Sequence, residues 1–158
     1  MASSSTHRIG LVSDTHGLLR PSVRAVFAGV GQILHAGDVG GDEILNELRR
    51  IAPVRAVSGN TDSPGEYEPE LNLTVGGVSI HVSHGHEVGP PTPARLAAKY
   101  SADVIVYGHT HQQILTRIGD RIIVNPGSAG PQRFKLKPSV GLLTISNGRP
   151  EVEIIALD

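Results

Sequence analysis

Hydrophobic residues along the chain occur in short continuous runs that end at Gly, Asp, Asn or Pro. Such runs are typical of β-strands. Because most of them carry no polar alternation, they indicate strands that are buried on both faces, as in a parallel or mixed sheet covered by other layers. The pattern predicts strands at Ile9–Val12, Gln32–His35, Val54–Val57, Ser79–Val82 and Val104–Tyr107.

Three segments between these strands carry signals for helix starts and ends. Pro21–Ala28 begins with a proline, which suits the first turn of a helix. Asp42–Arg50 opens with two acidic residues and closes with two basic ones, the charge order that the helix dipole favours. Thr92–Tyr100 places Thr92 as the N-cap and Pro93 at the first helical position. The early part of the chain therefore alternates strand and helix.

The second half of the chain contains paired apolar segments that flank turn sequences. Gly76-Gly77 readily adopts the positive φ angles of a two-residue hairpin. Gly119-Asp120 separates a second pair of segments, and the four residues Asn147-Gly148-Arg149-Pro150 separate a third. The predicted hairpins are Leu71–Val75 with Val78–Val82, Ile114–Ile118 with Arg121–Val124, and Val140–Ile145 with Val152–Leu157.

The mixture of strand–helix–strand units and hairpins predicts an α/β fold, with two packed mixed sheets and helices on the outside. The sequence of 158 residues contains no linker, repeat or low-complexity tract, so we expect one domain over residues 1–158. Within that domain, residues 1–7 are expected to form a flexible N-terminal extension.

Composition narrows the class of protein. The absence of Cys excludes disulfides and thiolate metal sites, and a formal net charge of −1 gives no reason to expect a long nucleic-acid partner or an anionic membrane surface. No apolar run approaches the roughly 18 residues of a membrane span, and Met1–Thr6 lacks the apolar core of a signal peptide. A cytoplasmic protein is expected.

Residues that can bind metals come directly after five of the predicted strands. Ligands of α/β sheets bind beyond the carboxyl ends of the strands, because loops from several strands converge there. A glycine flanks each of these positions or motifs, where the turn must be tight or the backbone must approach a ligand closely. The candidate ligands are Asp14, His16, Asp38, Asn60, His84, His109 and His111.

These ligands combine carboxylate or amide oxygens with imidazole nitrogens, a mixture that suits Mn, Fe, Zn or Ni better than Ca or Mg. Each motif alone has an ordinary structural interpretation, since Asp-x-His and Gly-Asn-Thr-Asp are common in turns. Spacing leaves open whether His109 and His111 bind the same ion. The joint occurrence of five such turns favours a two-metal hydrolytic site.

Four further histidines lie outside this set. His7 is expected to be exposed. His35 and His81 are expected to be strand residues with local hydrogen bonds. His86 lies two positions after a candidate ligand and stays open as a functional residue.

The motifs resemble, in order and across nearly the whole chain, the signature of the calcineurin-like metallophosphoesterase superfamily. The small size of the chain is similar to the minimal bacterial and archaeal phosphodiesterase branch of that superfamily. The motifs that carry the resemblance are Ser13-Asp14-Thr-His16-Gly17, His35-Ala-Gly37-Asp38, Gly59-Asn60-Thr-Asp62, Ser83-His84-Gly85-His86, Gly108-His109-Thr-His111 and Asn125-Pro-Gly-Ser128.

The resemblance implies a four-layer α-β-β-α sandwich with a dinuclear metal site at the carboxyl edge of the strands. It implies two divalent transition metal ions, with manganese expected first and Fe, Ni or Zn as alternatives. Carried over position by position, the first ion is held by Asp14, His16 and His111. The second is held by Asn60, His84 and His109, and Asp38 bridges both.

The resemblance also implies hydrolysis of a phosphodiester through a metal-bridging hydroxide that attacks phosphorus in line. Asp38, Asn60 and His86 are the expected catalytic residues. Many members of the superfamily carry a histidine directly after Gly-Asn that stabilises or protonates the leaving group, but here Thr61 stands there. A hydroxyl cannot replace an imidazolium acid, so we expect a preference for diesters with good leaving groups unless His86 or a metal-bound water supplies the proton.

The expected function is therefore a metal-dependent phosphodiesterase acting on a small phosphodiester. A phosphomonoesterase is one alternative, and it would need basic groups near the ligands, for which Arg20 and Arg133 are the nearest candidates. The other alternative is a binding scaffold like the retromer subunit of the same fold, although retention of all seven candidate ligands argues against it. A symmetric homodimer is an open expectation.

Residues around the ligands are open to two interpretations. Asp62 and Asn125 are candidates to orient ligands, or equally turn residues. The segments Thr61–Pro69 and Gly127–Pro138 are expected either to wall the site or to be ordinary connections.

Overall fold

The computed structural model describes residues 6–132 and 135–157. These residues form ten strands and three α-helices, and a 3-10 turn at His86–Val88. The strands are β1 Thr6–Val12, β2 Gln32–His35, β3 Val54–Ala56, β4 Leu71–Val75, β5 Val78–Val82, β6 Val104–Val106, β7 Ile114–Ile118, β8 Arg121–Asn125, β9 Ser139–Ser146 and β10 Arg149–Ala156. The helices are α1 Ser22–Val26, α2 Asp42–Arg49 and α3 Pro93–Lys99.

The strands form two mixed sheets of five strands each. The first has the order β10-β9-β1-β2-β3 and the second the order β4-β5-β6-β8-β7. In the first sheet β1, β2 and β3 are parallel, and β9 and β10 add an antiparallel hairpin. In the second sheet β5, β6 and β8 are parallel, and β4 and β7 are antiparallel edges. The sequence prediction of two mixed sheets is confirmed.

Alternating side chains place each sheet between two apolar layers, because successive residues of a strand point to opposite faces. Leu11 and Leu34 of the first sheet pack against Val106 of the second sheet in the core between the sheets. On the outer face of the first sheet Ile33 packs with α1 and α2, and on the outer face of the second Ile105 packs with α3. The four-layer α-β-β-α sandwich is therefore confirmed.

The helices agree with the sequence prediction in place and differ in length at their ends. Thr92 is the N-cap of α3, where its Oγ1 accepts a hydrogen bond from Arg95 N at 3.2 Å, and Pro93 opens the helix. The first helix is shorter than the predicted segment and runs only from Ser22 to Val26. The 3-10 turn at His86–Val88 was not predicted.

Two sequence predictions about chain ends and turns were wrong. The last hairpin turns on Asn147 and Gly148 alone, at φ 52° and 77°, because Arg149 and Pro150 already pair in β10. A proline is tolerated there since β10 is an edge strand. The expected flexible extension is also too long, because β1 begins at Thr6 and His7 pairs with Ile145. Residues 1–5 lie outside the described part of the chain.

Within residues 6–132 and 135–157, no helix combines the length and the apolar character that crossing a membrane requires.

Candidate metal centre

Side chains from five loops converge at the edge where β1, β2, β3, β5 and β6 end. Each loop comes directly after its strand, as the sequence predicted, because parallel strands bring their carboxyl ends to a common edge. The candidate ligands in these loops are Asp14 and His16 after β1, Asp38 after β2, Asn60 after β3, His84 after β5, and His109 and His111 after β6.

Asp14, His16 and His111 form one group of ligand atoms, all within 4.8 Å of one another. Asp14 Oδ1 lies 3.5 Å from His111 Nε2 and 3.7 Å from His16 Nε2. The two imidazole nitrogens are 3.4 Å apart. Donor atoms at these separations can share one ion, since metal–ligand bonds of about 2.0–2.2 Å place neighbouring ligand atoms at similar distances.

Asp14, Asp38 and His84 form a second group within the same limit. Asp38 Oδ2 lies 3.2 Å from His84 Nε2 and 3.6 Å from His16 Nε2, so this oxygen stands between the two groups. Asp14 Oδ1 is also 3.8 Å from His84 Nε2. Asp14 therefore belongs to both groups, whereas the resemblance assigned it to the first ion alone.

Asn60 and His109 lie beside the second group. His109 Nδ1 donates a hydrogen bond to Asn60 Oδ1 at 3.1 Å, and the rings of His109 and His84 have centroids 5.2 Å apart. Asn60 is exposed and His109 is half-buried. These two residues form the solvent side of the cluster.

Two buried atoms of the cluster have no hydrogen-bond partner in the described structure, and both point to a cation. Asp14 Oδ2 accepts hydrogen bonds from Ser13 Oγ at 2.6 Å and His109 N at 3.1 Å, but Asp14 Oδ1 accepts none. His84 Nδ1 donates to Ala36 O at 2.8 Å, whereas Nε2 makes no hydrogen bond. Unpaired buried polar atoms are costly, and a metal ion satisfies both of these. The residues therefore fit the divalent metals that the ligand types suggest.

The electrostatics of the cluster also favour cations. Burial alone raises the pKa of the Asp38 carboxyl, but the nearby His84 ring, with Nε2 3.2 Å from Oδ2, and the hydrogen bond from Thr61 N outweigh burial and hold that pKa below its usual value. The pKa of Asp14 is lowered in the same way, against burial, by His16 and His84. Both carboxylates are therefore charged at neutral pH, and they form the negative centre of the cluster.

Backbone conformation sets the ligands apart from the rest of the chain. Left-handed φ angles are uncommon outside glycine and concentrate at functional sites. Among the described residues, those angles occur at one non-glycine turn residue, Asn147, and at five of the candidate ligands. These are Asp14 at 54°, His16 at 44°, Asp38 at 55°, His109 at 73° and His111 at 63°. The loops hold the ligands at a conformational cost that the sequence did not reveal.

Two glycines are required because their backbone lies very close to another ligand loop. A Cβ on Gly59 would collide with the side chain and backbone of Asp38, and a Cβ on Gly108 would collide with Ser13 Oγ and Asp14 Oδ2. Any larger residue would therefore push a ligand loop away from the cluster.

Asp62 joins two ligand loops through backbone hydrogen bonds. Its carboxylate accepts from Val39 N at 3.0 Å and from Gly59 N at 2.8 Å. Val39 is the residue after Asp38 and Gly59 the residue before Asn60, so Asp62 fixes the loop after β2 against the loop after β3.

Asn125 fixes the loop after β6 in two ways. Its Nδ2 donates to Gly108 O and to Thr110 Oγ1, both at 3.0 Å, and its Oδ1 accepts from Gly127 N at 2.9 Å. Asn125 is therefore both a turn residue and a support for the ligand loop, so both of the roles considered from the sequence apply.

His86 and Thr61 lie on the open side of the cluster. The exposed ring of His86 is 5.3 Å from that of His84 and 6.2 Å from that of His109, centroid to centroid. Thr61 N donates to Asp38 Oδ1 at 2.9 Å. Thr61 therefore supports Asp38, and His86 is an exposed imidazole on this side that is not a candidate ligand.

The remaining histidines agree with the sequence predictions, except for His7. His35 Nε2 bonds Thr15 Oγ1 at 3.0 Å, and His81 Nδ1 bonds Asn72 Oδ1 at 2.9 Å. His7 was expected to be exposed but is half-buried, because its ring lies against the hairpin turn at Gly76.

Of the two arginines suggested for a monoesterase, the structure describes Arg20 but not Arg133. Arg20 Nε donates to Gly130 O at 3.2 Å. Arg133 lies outside the described residues.

Comparison with known proteins agrees with this geometry. The profile of the calcineurin-like phosphoesterase superfamily domain matches residues 8–148. The chain belongs to this superfamily. Its members are phosphoesterases that bind divalent metals, and the described ligand groups are consistent with that property.

Individual relatives span nearly the whole calcineurin-like chain. A probable metallophosphoesterase of Methanothermobacter thermautotrophicus is 37% identical in an alignment of length 158. The alignment covers 93% of this chain and 91% of that protein. A phosphodiesterase of Methanocaldococcus jannaschii is 26% identical and covers 86% of this chain and 92% of its own length.

A solved structure shows the same fold. Vps29 of Entamoeba histolytica, complexed with zinc, matches 96% of this chain and 99% of its own with a TM-score of 0.75 at 24% identity. At that identity the likeness establishes the shared calcineurin-like fold.

Proposed function

We propose that the chain is a metal-dependent phosphodiesterase that hydrolyses a small phosphodiester at the ligand cluster. The observation that carries the proposal is the pair of buried, unpartnered atoms Asp14 Oδ1 and His84 Nε2, which face each other across the cluster at 3.8 Å. A purely structural polar cluster would satisfy such atoms internally. Family membership and the phosphodiesterase relative support the reaction class.

The cluster is suited to two divalent ions, for which manganese is our first expectation and Fe, Ni or Zn are alternatives. We assign Asp14, His16 and His111 to one ion, Asn60, His84 and His109 to the other, and Asp38 to both. When bound, such an ion pair lowers the pKa of water and offsets negative charge that develops on the phosphoryl oxygens.

The residues of the chain have separate tasks in this scheme. Asp38, with Oδ2 between His16 and His84, sets the distance between the two ligand groups. Asn60 is exposed beside His109 and is placed to orient the phosphate together with the second ion. His86 is the exposed imidazole on the same side and holds the proton for the leaving oxygen.

A scaffold is the second candidate, and the fold shared with Vps29 favours it. A scaffold needs no intact ligand set, whereas all seven candidate ligands are present and gathered here. A phosphomonoesterase is the third, and it has support from Lys135 and Lys137, which line a cavity of about 420 Å³ next to His111. The diester hypothesis is preferred because these lysines line a cavity on the His111 side of the cluster and not the cavity beside Asn60 and His86.

The test is hydrolysis of an activated aryl phosphodiester and its matched monoester by protein stripped of metal and then supplied with Mn²⁺. Turnover should require the metal and favour the diester. Asn60→Ala should lower it by at least about tenfold, or roughly 1.4 kcal/mol of barrier. Asn46→Ala, an exposed asparagine of α2, is the matched control and should leave turnover unchanged. Metal binding without turnover of either ester would overturn the proposal in favour of the scaffold.

Cytoplasmic location and a small phosphodiester as the only partner, without long nucleic acid, are parts of the same proposal. The net charge of −1 supports the part of the proposal that excludes long nucleic acid. A symmetric homodimer stays a prediction.

A further inference from the structure

A cavity of about 730 Å³ opens directly beside the ligand cluster. Asn60, a candidate ligand, and His86 line the cavity, so a substrate bound at the cluster can extend into it. Tyr67 comes from the segment Thr61–Pro69 that the sequence marked as a wall, and Tyr100 comes from the end of α3. The cavity is therefore formed between the loop after β3 and the end of α3, next to the ligand cluster.

The two tyrosine rings are held in fixed positions. Tyr67 donates from its hydroxyl to Asp42 Oδ1 at 3.0 Å and from its backbone N to Ser58 Oγ at 2.9 Å, and its ring packs against the core around α2. Tyr100 stacks on the ring of His81 with centroids 3.6 Å apart and 22° between the planes. Rings fixed in this way provide an aromatic surface whose side-chain entropy is already lost.

The charged groups around the cavity are mostly acidic. Asp62, Glu70 and Glu87 line it, against one lysine, Lys99, among the described residues. Glu87 is held in place by a hydrogen bond from Gly85 N at 2.8 Å, and Lys99 Nζ lies 5.4 Å from the centroid of the Tyr100 ring. An anionic group in this cavity would therefore meet net repulsion.

The opposite side of the cluster has the reverse character. The cavity next to His111 is lined by Lys135, Lys137 and two glutamines, and none of the described residues that line it is acidic. A phosphodiester carries two ester groups, which we call its arms. When it spans the cluster, one arm lies against aromatic and acidic residues and the other against basic residues. The two arms of the substrate are distinguished by charge.

We propose that the Tyr67–Tyr100 cavity binds the leaving arm of the phosphodiester and selects a planar ring without negative charge, such as an aryl or nucleobase-bearing alcohol. This inference rests on the proposed function. The leaving arm is assigned to this cavity because His86 lines it, and the leaving oxygen must take a proton there. In the reaction the P–O bond to that arm breaks, the oxygen of water bonds to phosphorus, and the leaving oxygen receives the proton.

The test uses one substrate, an unsymmetrical diaryl phosphodiester whose two phenols have matched acidity but differ in a distant substituent, neutral on one and carboxylate on the other. Because both phenols compete within the same molecule, the ratio in which they are released reports only the orientation of binding. The native protein with Mn²⁺ should release the neutral phenol at least about tenfold faster than the carboxylated one, a difference of roughly 1.4 kcal/mol.

The variant Glu70→Gln/Glu87→Gln should bring this ratio to within about threefold of one, because two of the three acidic side chains that line the cavity lose their charge. Glu151→Gln/Glu153→Gln, with the same charge change on the edge strand β10, is the matched control and should keep the native ratio. Release of both phenols at equal rates by the native protein overturns the inference while leaving the phosphodiesterase intact. Release of neither phenol with any divalent metal overturns the proposed function itself.

The aromatic part of the inference has its own test. Tyr67→Leu should raise KM for the neutral aryl diester about three- to tenfold with little change in kcat, since a ring that contacts only the leaving arm contributes to binding. Tyr67→Phe keeps the ring and loses the bond to Asp42, so it should restore the native KM. An unchanged KM in Tyr67→Leu, or an equal rise in Tyr67→Phe, would overturn the role of the ring.

Discussion

The two halves of the ligand cluster differ in how firmly the protein holds them. The buried half consists of Asp14, Asp38, His84 and His111, which are each at most 7% exposed. The open half consists of Asn60, His109 and His86, of which Asn60 and His86 are exposed. Two atoms of the buried half have protein partners outside the cluster: Asp14 Oδ2 with Ser13 Oγ, and His84 Nδ1 with Ala36 O. The open half borders the cavity.

This contrast separates metal binding from substrate selection. Ligands with fixed partners and lowered carboxyl pKa values lose little freedom when an ion binds, so the buried half should set metal affinity. Exposed residues beside a cavity contact the substrate, so the open half should set turnover and choice of leaving group. Substitutions should therefore divide into two kinds, according to the half that they affect.

The largest effect should come from loss of the carboxylate between the two groups. Asp38→Ala removes the oxygen that lies 3.2 Å from His84 Nε2 and 3.6 Å from His16 Nε2, so metal affinity should fall by more than the roughly 100-fold that loss of an outer partner costs. Titration calorimetry with Mn²⁺ measures this, and aryl diester turnover should be lost. Asp120→Ala, in the exposed turn between β7 and β8, is the control. Native affinity in Asp38→Ala would show that this carboxylate does not hold metal.

An intermediate effect should come from loss of a support behind the buried half. Asn125→Ala removes the hydrogen bonds that hold Gly108 O and Thr110 Oγ1, so metal affinity and turnover should each fall by about 10- to 100-fold. Asn46→Ala again controls for the residue type. If Asn125→Ala were destabilised but bound metal with native affinity, Asn125 would act in the turn alone.

Most of this contrast could be predicted from the sequence, because it depends on the residues that come directly after each strand. Asp14, Asp38 and His84 stand directly after apolar runs, and the ends of parallel strands meet. Backbone angles such as φ 63° at His111 could not be predicted, since non-glycine residues adopt them only where surrounding contacts impose them. The double role of Asn125 required its distant contact with Gly108.

The cavity beside the open half could not be predicted from the sequence. Its rings, Tyr67 and Tyr100, are 33 positions apart and come from the loop after β3 and the end of α3, so neither local pattern indicated the other. The prediction of a four-residue turn in the last hairpin was wrong for a similar reason. Pro150 reads locally as a breaker, and only its place on an edge strand makes it acceptable.

A smaller effect on activated substrates should come from loss of the open-half imidazole. His86→Gln should lower turnover of an activated aryl diester by no more than about tenfold, and the loss should grow towards about 100-fold as the leaving alcohol becomes less acidic. The measurement is the slope of log kcat against the pKa of the leaving group, which should steepen. Metal affinity should stay native, because His86 is outside both ligand groups. A parallel slope with weakened metal binding would instead place His86 among the ligands.

The smallest effect on turnover and a distinct effect on stability are expected at His35, which is buried behind the cluster and is not a candidate ligand. Thr15 Oγ1 donates to Val39 O, so His35 Nε2 donates to Thr15, and Gly37 N donates to His35 Nδ1. The contact at Nδ1 requires the neutral ring, because a protonated Nδ1 cannot accept a hydrogen bond. Burial lowers the pKa of His35 from 6.5 to about 4.

Between pH 6.5 and about 4 the unfolded chain therefore binds a proton at His35 that the folded chain does not, so the free energy of unfolding should fall as the pH falls through this window. The fall amounts to roughly 3 kcal/mol at its acid end. Denaturant unfolding of metal-free protein at several pH values measures it. His35→Gln should be less stable at pH 7 but should lose less stability on acidification, and His7→Gln, a half-buried histidine away from the cluster, should keep the native pH slope. If the pH slope were unchanged in His35→Gln, the acid sensitivity would belong to the ligand histidines of the buried half. Those ligands, and not His35 behind them, would then be the acid-labile part of the protein.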